Sequence, residues 1–196
     1  LGYLPIKNFD SLANMITFSS HKIYGPKGVG LLIVDEDIQL NPLLYGGGQE
    51  FGYRSGTIPL PLIIGFSKAI ELSVKNQVRN SIQLATLRDT LMDGLLKQNS
   101  QLFINGSIIH RLPHNLNLTI PNINGSKFHK YIKHNIVCSS GSACSSGKIS
   151  HVLTSIGRTL KEAESSVRLS IGLTTTIEEI EKSVNVITEI INSLKK

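Results

Sequence analysis

Ser19-Ser20-His21-Lys22-Ile23-Tyr24-Gly25-Pro26-Lys27-Gly28-Val29-Gly30 is the stretch on which the fold turns. Ahead of it, Met15-Ile16-Thr17-Phe18 reads as a short buried strand. Behind it, Val29 to Val34 reads as another, rich in residues that suit a pleated surface. The turn between them carries Lys22 near its start and glycines at 25, 28 and 30. A lysine at the mouth of a strand, beside a histidine and two hydroxyls, is placed to form an imine. It does so only when its amine is partly deprotonated, which burial and neighbouring cations promote. Hydroxyls, an imidazole and backbone N–H groups freed by glycine can bind a phosphate. An imine-forming amine beside a phosphate cradle fits pyridoxal 5'-phosphate, which needs both. The competing reading is a surface turn with a solvated lysine, which is how Lys27 reads. The turn is not a Walker loop, because no lysine-serine or lysine-threonine pair follows the glycines at the required spacing.

The chain has 196 residues, 40% of them hydrophobic and 17% charged, enough to fold around a core. No apolar run is long enough to span a bilayer. The formal charge is +6, which attracts nucleic acid or acidic proteins. The basic residues look scattered, aromatics are 6% and tryptophan is absent, so no basic run is interleaved with stacking rings. Nucleic acid is therefore not expected as a primary partner, nor is a membrane. The two cysteines, 138 and 144, make no disulfide framework and fit a reducing compartment, so a cytoplasmic location is expected. The first residue is Leu1, and strand-like sequence begins almost at once, as in a piece of a longer protein; an organellar address is not excluded.

Beyond the lysine turn, Asn41 to Pro61 is long and glycine-rich, a pattern of loops that are either functional or disordered; Tyr45 and Phe51 argue for order, and Arg54, Ser55 and Thr57 offer donors to an anion. Helical spacing follows over Leu60 to Leu72 and again over Ile82 to Leu96, with a polar bend at Asn76 to Asn80. Leu102-Phe103-Ile104, Asn115 to Ile120, Ile136-Val137-Cys138 and Ser166 to Ile171 read as strands; the second has period two, so one face is expected to be exposed. Ser126 to His134 and Ser150 to Ile156 read as short helices. A last helix is predicted from about Thr176 to Leu194, with a Thr176/Glu179 capping box and an apolar stripe through Ile177, Ile180, Val184, Ile187, Ile191 and Leu194.

Three further features carry chemistry. Cys144 lies in Ser139-Ser140-Gly141-Ser142-Ala143-Cys144-Ser145-Ser146-Gly147, where small residues give a mobile loop that leaves a thiol exposed; a bland loop cysteine is the alternative. Cys138, on an apolar strand, reads as buried and inert. Arg168, in Ser166-Val167-Arg168-Leu169-Ser170-Ile171-Gly172, either points inward and pairs with an anion such as a substrate carboxylate, or faces water from an edge strand. Zinc is not expected: Pro113 breaks any helix that would align His110 with His114, and there is no Cys-x-x-Cys.

Taken in order, the lysine turn, Gly46-Gly47-Gly48-Gln49-Glu50, Arg54-Ser55-Gly56-Thr57, the cysteine loop and the Arg168 strand resemble the cysteine desulfurases of the class V aminotransferase group. The resemblance covers almost the whole chain, and the cysteine loop matches the long-loop branch that feeds iron–sulfur assembly. It implies an α/β fold: residues 1–78 as the tail of a fold-type-I pyridoxal-phosphate large domain with a mainly parallel sheet, and residues 79–196 as a small α+β domain. It implies that Lys22 carries the cofactor and then moves the substrate Cα proton. Ser19 and His21 bind the phosphate, and Thr57 reaches the phosphate of a second subunit in a homodimer. Arg168 holds the carboxylate of L-cysteine. Cys144 takes the sulfur as a persulfide and passes it to a scaffold or other acceptor protein, leaving alanine.

The chain departs from the family pattern in three places. The family's ring-stacking histidine, pyridinium-pairing aspartate and cofactor-contacting asparagine and glutamine are expected before Leu1, so the chain alone is expected to be inactive. Phe51 stands where arginine is common, and the segment after Cys144 is about two residues short. The rival readings are a selenocysteine lyase or related class V enzyme, separated by comparing cysteine with selenocysteine turnover, and a non-catalytic interaction module, separated by cofactor absorbance and its loss in Lys22→Ala.

Overall fold

The structure is a computed structural model, and it describes residues 2–4, 13–139 and 149–195. The chain divides into two compact units, Leu1–Val78 and Arg79–Lys196.

In the first unit, β1 (Met15–Ser19) and β2 (Gly30–Val34) pair antiparallel, with Met15 opposite Val34 and Ser19 opposite Gly30. A connection this short, without a crossover helix, can only join antiparallel neighbours. The pairings of the second unit are antiparallel as well, so no parallel pair occurs among the described strands. Helix α1 (Leu60–Lys75) starts beside two prolines, with Pro59 as its cap and Pro61 in its first turn, where a missing N–H costs nothing. Its Phe66 and Ala69 form the unit's core with Ile23, and Phe18, Val29 and Ile70 pack against them. Asn76 ends α1, and α2 (Gln77–Gln98) follows directly, which places a break inside the polar bend read from the sequence.

The second unit is a three-stranded antiparallel sheet in the order β3 (Phe103–Ile104), β4 (Asn115–Thr119), β5 (Ser166–Ser170). Its helices are α3 (Gly125–Ile132), α4 (His151–Ser155), α5 (Leu160–Glu164) and α6 (Ile177–Lys195). Leu84, Leu87, Leu91 and Leu95 of α2 are buried, as are Ile180, Val184, Ile187 and Ile191 of α6. The two helices touch: a Cβ on Gly94 would lie 2.8 Å from Val184, and Asn99 Nδ2 donates to Thr188 Oγ1 at 3.0 Å. The capping box is present, with Thr176 N–H donating to Glu179 at 3.0 Å and Glu179 N–H donating to Thr176 Oγ1 at 3.3 Å. Ile177, however, is 41% exposed, so the buried stripe begins at Ile180. Phe128 and Ile132 turn α3 inward and are fully buried. Gly125 is required there, because a Cβ would lie 2.8 Å from Ser166 O and 2.9 Å from Glu164 O.

Three expectations change. Ile136–Cys138 is not a strand: the Asn135 and Ile136 amides close the end of α3 on Ile132 O, and only Ser139 bridges to β5, at Arg168. Helix α5 adds to the elements expected from the sequence, and Thr159 and Glu162 form a second capping box at its start. The alternation of β4 buries Leu116 and Leu118, while Asn115 and Asn117 on its other face are half-buried rather than exposed.

Candidate functional site

The lysine turn begins as a 3-10 helix, Ser20–Ile23, closed by Tyr24 in the left-handed region at φ 65°. A three-residue repeat puts positions 20 and 23 on one side. Ser20 and Ile23 are buried, and His21 and Lys22 are exposed, as is Ser19 before them. The turn is tied by Gly25 N–H donating to Ser20 O at 3.0 Å and Ser20 N–H donating to Val29 O at 3.3 Å. Helix α1 braces it from below. A Cβ on Gly25 would lie 2.2 Å from Ser20 Oγ and 3.1 Å from Ala69, and one on Gly65 would lie 3.1 Å from Pro26. Tyr3 hydrogen-bonds Tyr24 at the end of the turn; burial first, and Tyr24 second, push the Tyr3 phenol up to about 12. Ser20 Oγ is buried and has no partner among the described residues, an unusual state for a hydroxyl.

Thr57 is exposed on the segment that enters α1. Its loop is ordered by polar contacts and not by its aromatics: Phe51 is 97% and Tyr45 81% exposed. Ser55 is buried, its N–H donating to Leu44 O at 3.2 Å and its Oγ accepting from Gly48 N–H at 3.4 Å, and Gly56 N–H donates to Gln49 Oε1 at 3.0 Å. Glu50 and Phe51 are both left-handed, at φ 54° and 55°, a strained pair for residues with a Cβ.

Arg168 belongs to the second unit. It is half-buried on β5 and lines a cavity of about 460 Å³ with Asn105, His110, Arg111, Asn117 and Ser139. Among the described residues no carboxylate lines this cavity. The Arg111 guanidinium is committed to carbonyls, donating to Ser107 O, Asn105 O and Asn115 O at 2.7, 2.7 and 3.3 Å. Burial, then the charge of Arg168, lowers the His114 pKa from its ordinary 6.5. The floor is a polar network that the sequence did not announce. Asn105 Nδ2 donates to Asn117 Oδ1, Thr119 Oγ1 and Ser166 Oγ at 2.8, 3.0 and 3.1 Å, and Ser166 Oγ donates to Glu162 O at 2.7 Å. The legible signal was a set of polar residues, Asn117, Thr119 and Ser166, in otherwise apolar strands.

Cys144 lies outside the described residues. Cys138 is half-buried, and burial pushes its thiol up. Among the described residues no group of three or more His, Cys, Asp or Glu is placed to hold a metal ion, and no helix is long and apolar enough to cross a membrane. Ser19, His21 and Lys22 are thus brought together on one braced turn, while Arg168 sits in a cavity of its own unit.

The turn fits a phosphorylated aldehyde: an exposed amine, hydroxyl and imidazole sit together, with a buried unsatisfied hydroxyl beneath them. Comparison with known proteins gives the same direction. The class-V aminotransferase family model matches residues 4–182. The chain is 38% identical to the cysteine desulfurase IscS of Rickettsia typhi, over all of this chain and 48% of that protein. It is 40% identical to the mitochondrial cysteine desulfurase of Eremothecium gossypii, over all of this chain and 40% of that protein. Among solved structures, a NifS-like protein from Rickettsia africae superposes with TM-score 0.87 at 36% identity, covering 97% of this chain and 51% of that one. Another NifS-like protein superposes with TM-score 0.88 at 31% identity, covering 98% and 50%. The fold is therefore the α/β fold of these enzymes, and the chain spans about half the length of the curated relatives it matches. The chain belongs to the class-V aminotransferase family.

Proposed function

We propose that the whole protein is a cysteine desulfurase, a sulfurtransferase using pyridoxal phosphate to convert L-cysteine to L-alanine and leave a persulfide on Cys144. The observation that carries this is the braced turn, where the exposed Lys22 stands beside Ser19 and His21. The similarity to relatives named as cysteine desulfurases, along the full length of this chain, supports the same reading.

The residues take distinct roles. When bound, pyridoxal phosphate supplies the electron sink that makes the carbon–sulfur bond labile. Lys22 Nζ would hold the cofactor at its aldehyde and would move the substrate Cα proton. Ser19 and His21 orient the phosphate, and Thr57 reaches the phosphate in a second copy of the chain, which makes the working unit a homodimer. Arg168 binds the substrate carboxylate through paired N–H donors. The Cys144 thiolate attacks the substrate sulfur. An S–S bond forms, the C–S bond breaks, and its electron pair leaves with a proton on the methyl group of alanine. Atoms and electrons balance without an added oxidant. A sulfur-acceptor protein of iron–sulfur cluster assembly then takes the persulfide. The chain's small domain, residues 79–196, carries the cysteine loop, and residues 1–78 complete the cofactor domain. Two cysteines in 196 residues support a reducing, cytoplasmic setting.

The test uses the whole protein. Lys22→Ala loses the cofactor's visible absorbance. Cys144→Ala keeps it but releases neither sulfide nor alanine from cysteine. Turnover of cysteine by Cys144→Ala at the unaltered rate, or the same rate on selenocysteine with none on cysteine, overturns the proposal.

A further inference from the structure

The charge that looks scattered over the whole chain is one-sided in its middle. From Gly94 to Lys161 there is no aspartate or glutamate, while eight lysines and arginines and five histidines fall in the same stretch. The densest part is α3 and its exit, where Lys127, His129, Lys130, Lys133 and His134 stand within eight positions. Phe128 and Ile132 bury the opposite side of this helix. Lys127, Lys130 and Tyr131, at i, i+3 and i+4, therefore share the outward face, and all three are exposed. Lys133 and His134 continue the exposed run past the helix end.

This face leads into a hollow. A cavity of about 420 Å³ opens where α3 ends, with His134 and Lys182 at its polar edge and Ile136, Val137, Val186 and Ile187 among its apolar walls. Val137 is 94% exposed, a large apolar side chain left in water. The carboxylate on the cavity, Glu179, is already engaged by the Thr176 N–H in its capping box. The face is also tied to the base of the cysteine loop, since His129 Nε2–H donates to Cys138 O at 3.0 Å.

We infer that this surface docks an acidic protein segment, one that lays carboxylates along Lys127, Lys130 and His134 and seats a single apolar side chain against Val137. Charge complementarity chooses the partner's sign, and the apolar hollow supplies the anchor that a purely electrostatic contact lacks. The inference rests on the proposed desulfurase reading in one respect only, that such a segment belongs to the sulfur acceptor. A partner held here stands beside Cys138, six positions before Cys144 in the sequence.

The probe is a fluorescein-labelled peptide, Glu-Glu-Leu-Glu-Glu, titrated with the 196-residue chain and followed by anisotropy. Controls replace its glutamates by lysines or its leucine by glycine. The acidic peptide is expected to bind, to weaken as salt rises from about 50 to about 300 mM, and to weaken about tenfold or more in Lys127→Glu/Lys130→Glu. Leucine removal and Val137→Asp are each expected to weaken it severalfold, with the circular dichroism spectrum unchanged. Equal binding of the lysine peptide, or no effect of the double variant, overturns the inference. Tighter binding of a 20-mer oligothymidylate, or a changed oligomeric state in the double variant, overturns it in favour of nucleic acid or a second copy. In the whole protein, the double variant should keep cysteine turnover with dithiothreitol as acceptor. Peptide binding without turnover would sink the desulfurase reading and leave the surface standing; turnover without peptide binding would do the reverse.

Discussion

Gly25→Ala tests the geometry that holds Lys22 in place. The new methyl would sit 2.2 Å from Ser20 Oγ, with Ala69 Cβ and Ser20 O each 3.1 Å away. To reach ordinary contact the hydroxyl must recede by about 1 Å, but Ser20 is fully buried and helix α1 closes the space behind. Overpacking of this kind costs about 1–3 kcal/mol. Ser20→Ala should be neutral or slightly stabilising, because Ser20 Oγ has no partner among the described residues and its burial is uncompensated. In the Ser20→Ala background the Gly25→Ala penalty should fall by about 1–2 kcal/mol, since the two sites are in contact. Urea unfolding gives the global effect. Exchange of the Ser20 amide, which donates to Val29 O across the turn, gives the local one, with protection expected to drop roughly 5- to 150-fold in Gly25→Ala. If the penalty is the same with and without the Ser20 hydroxyl, the strain lies elsewhere, and the account of the turn as braced through Ser20 is wrong.

Other expectations follow from the second unit. Asn105→Ala should destabilise by about 1–3 kcal/mol, because Asn117, Thr119 and Ser166 lose a shared buried partner; an unfolding midpoint within error of the parent would contradict it. His114 has a folded-state pKa below its ordinary 6.5, so the unfolded chain takes up a proton first. Its contribution to stability is full above about 6.5 and is lost as the pH falls through that value towards the folded one. His114→Gln should therefore flatten the loss of stability between about pH 7.5 and about pH 5.5, and an unchanged slope would assign the loss to other groups. Arg168→Gln in the whole protein should raise KM for cysteine while leaving cofactor absorbance intact. A lost absorbance would mean that Arg168 supports the fold instead.

Much of this was readable from order along the chain. The strands on either side of Lys22, the α1 and α2 patterns and the Thr176/Glu179 cap depend on neighbours a few residues apart, and local spacing encodes them directly. The motif order likewise carried the family. Helix α5 was equally local, since Thr159 and Glu162 wrote its cap, yet its five residues are too few for a periodic signal. Ile136–Cys138 looked like a strand because composition alone cannot tell a buried apolar run from one that the preceding helix end has already engaged.

The chain's own text determined which groups are available: an amine at 22, a thiol at 144, a guanidinium at 168 and a basic run from 127 to 134. Only the tertiary structure decided, for the amine, the guanidinium and the basic run, which of them face outward and what supports them. Ser20 is buried while its neighbours His21 and Lys22 are exposed because a 3-10 turn, and not a longer loop, follows β1. Asn105 meets Ser166 across 61 positions because β4 lies between β3 and β5. Such contacts depend on packing between segments far apart in sequence, and no local pattern records them.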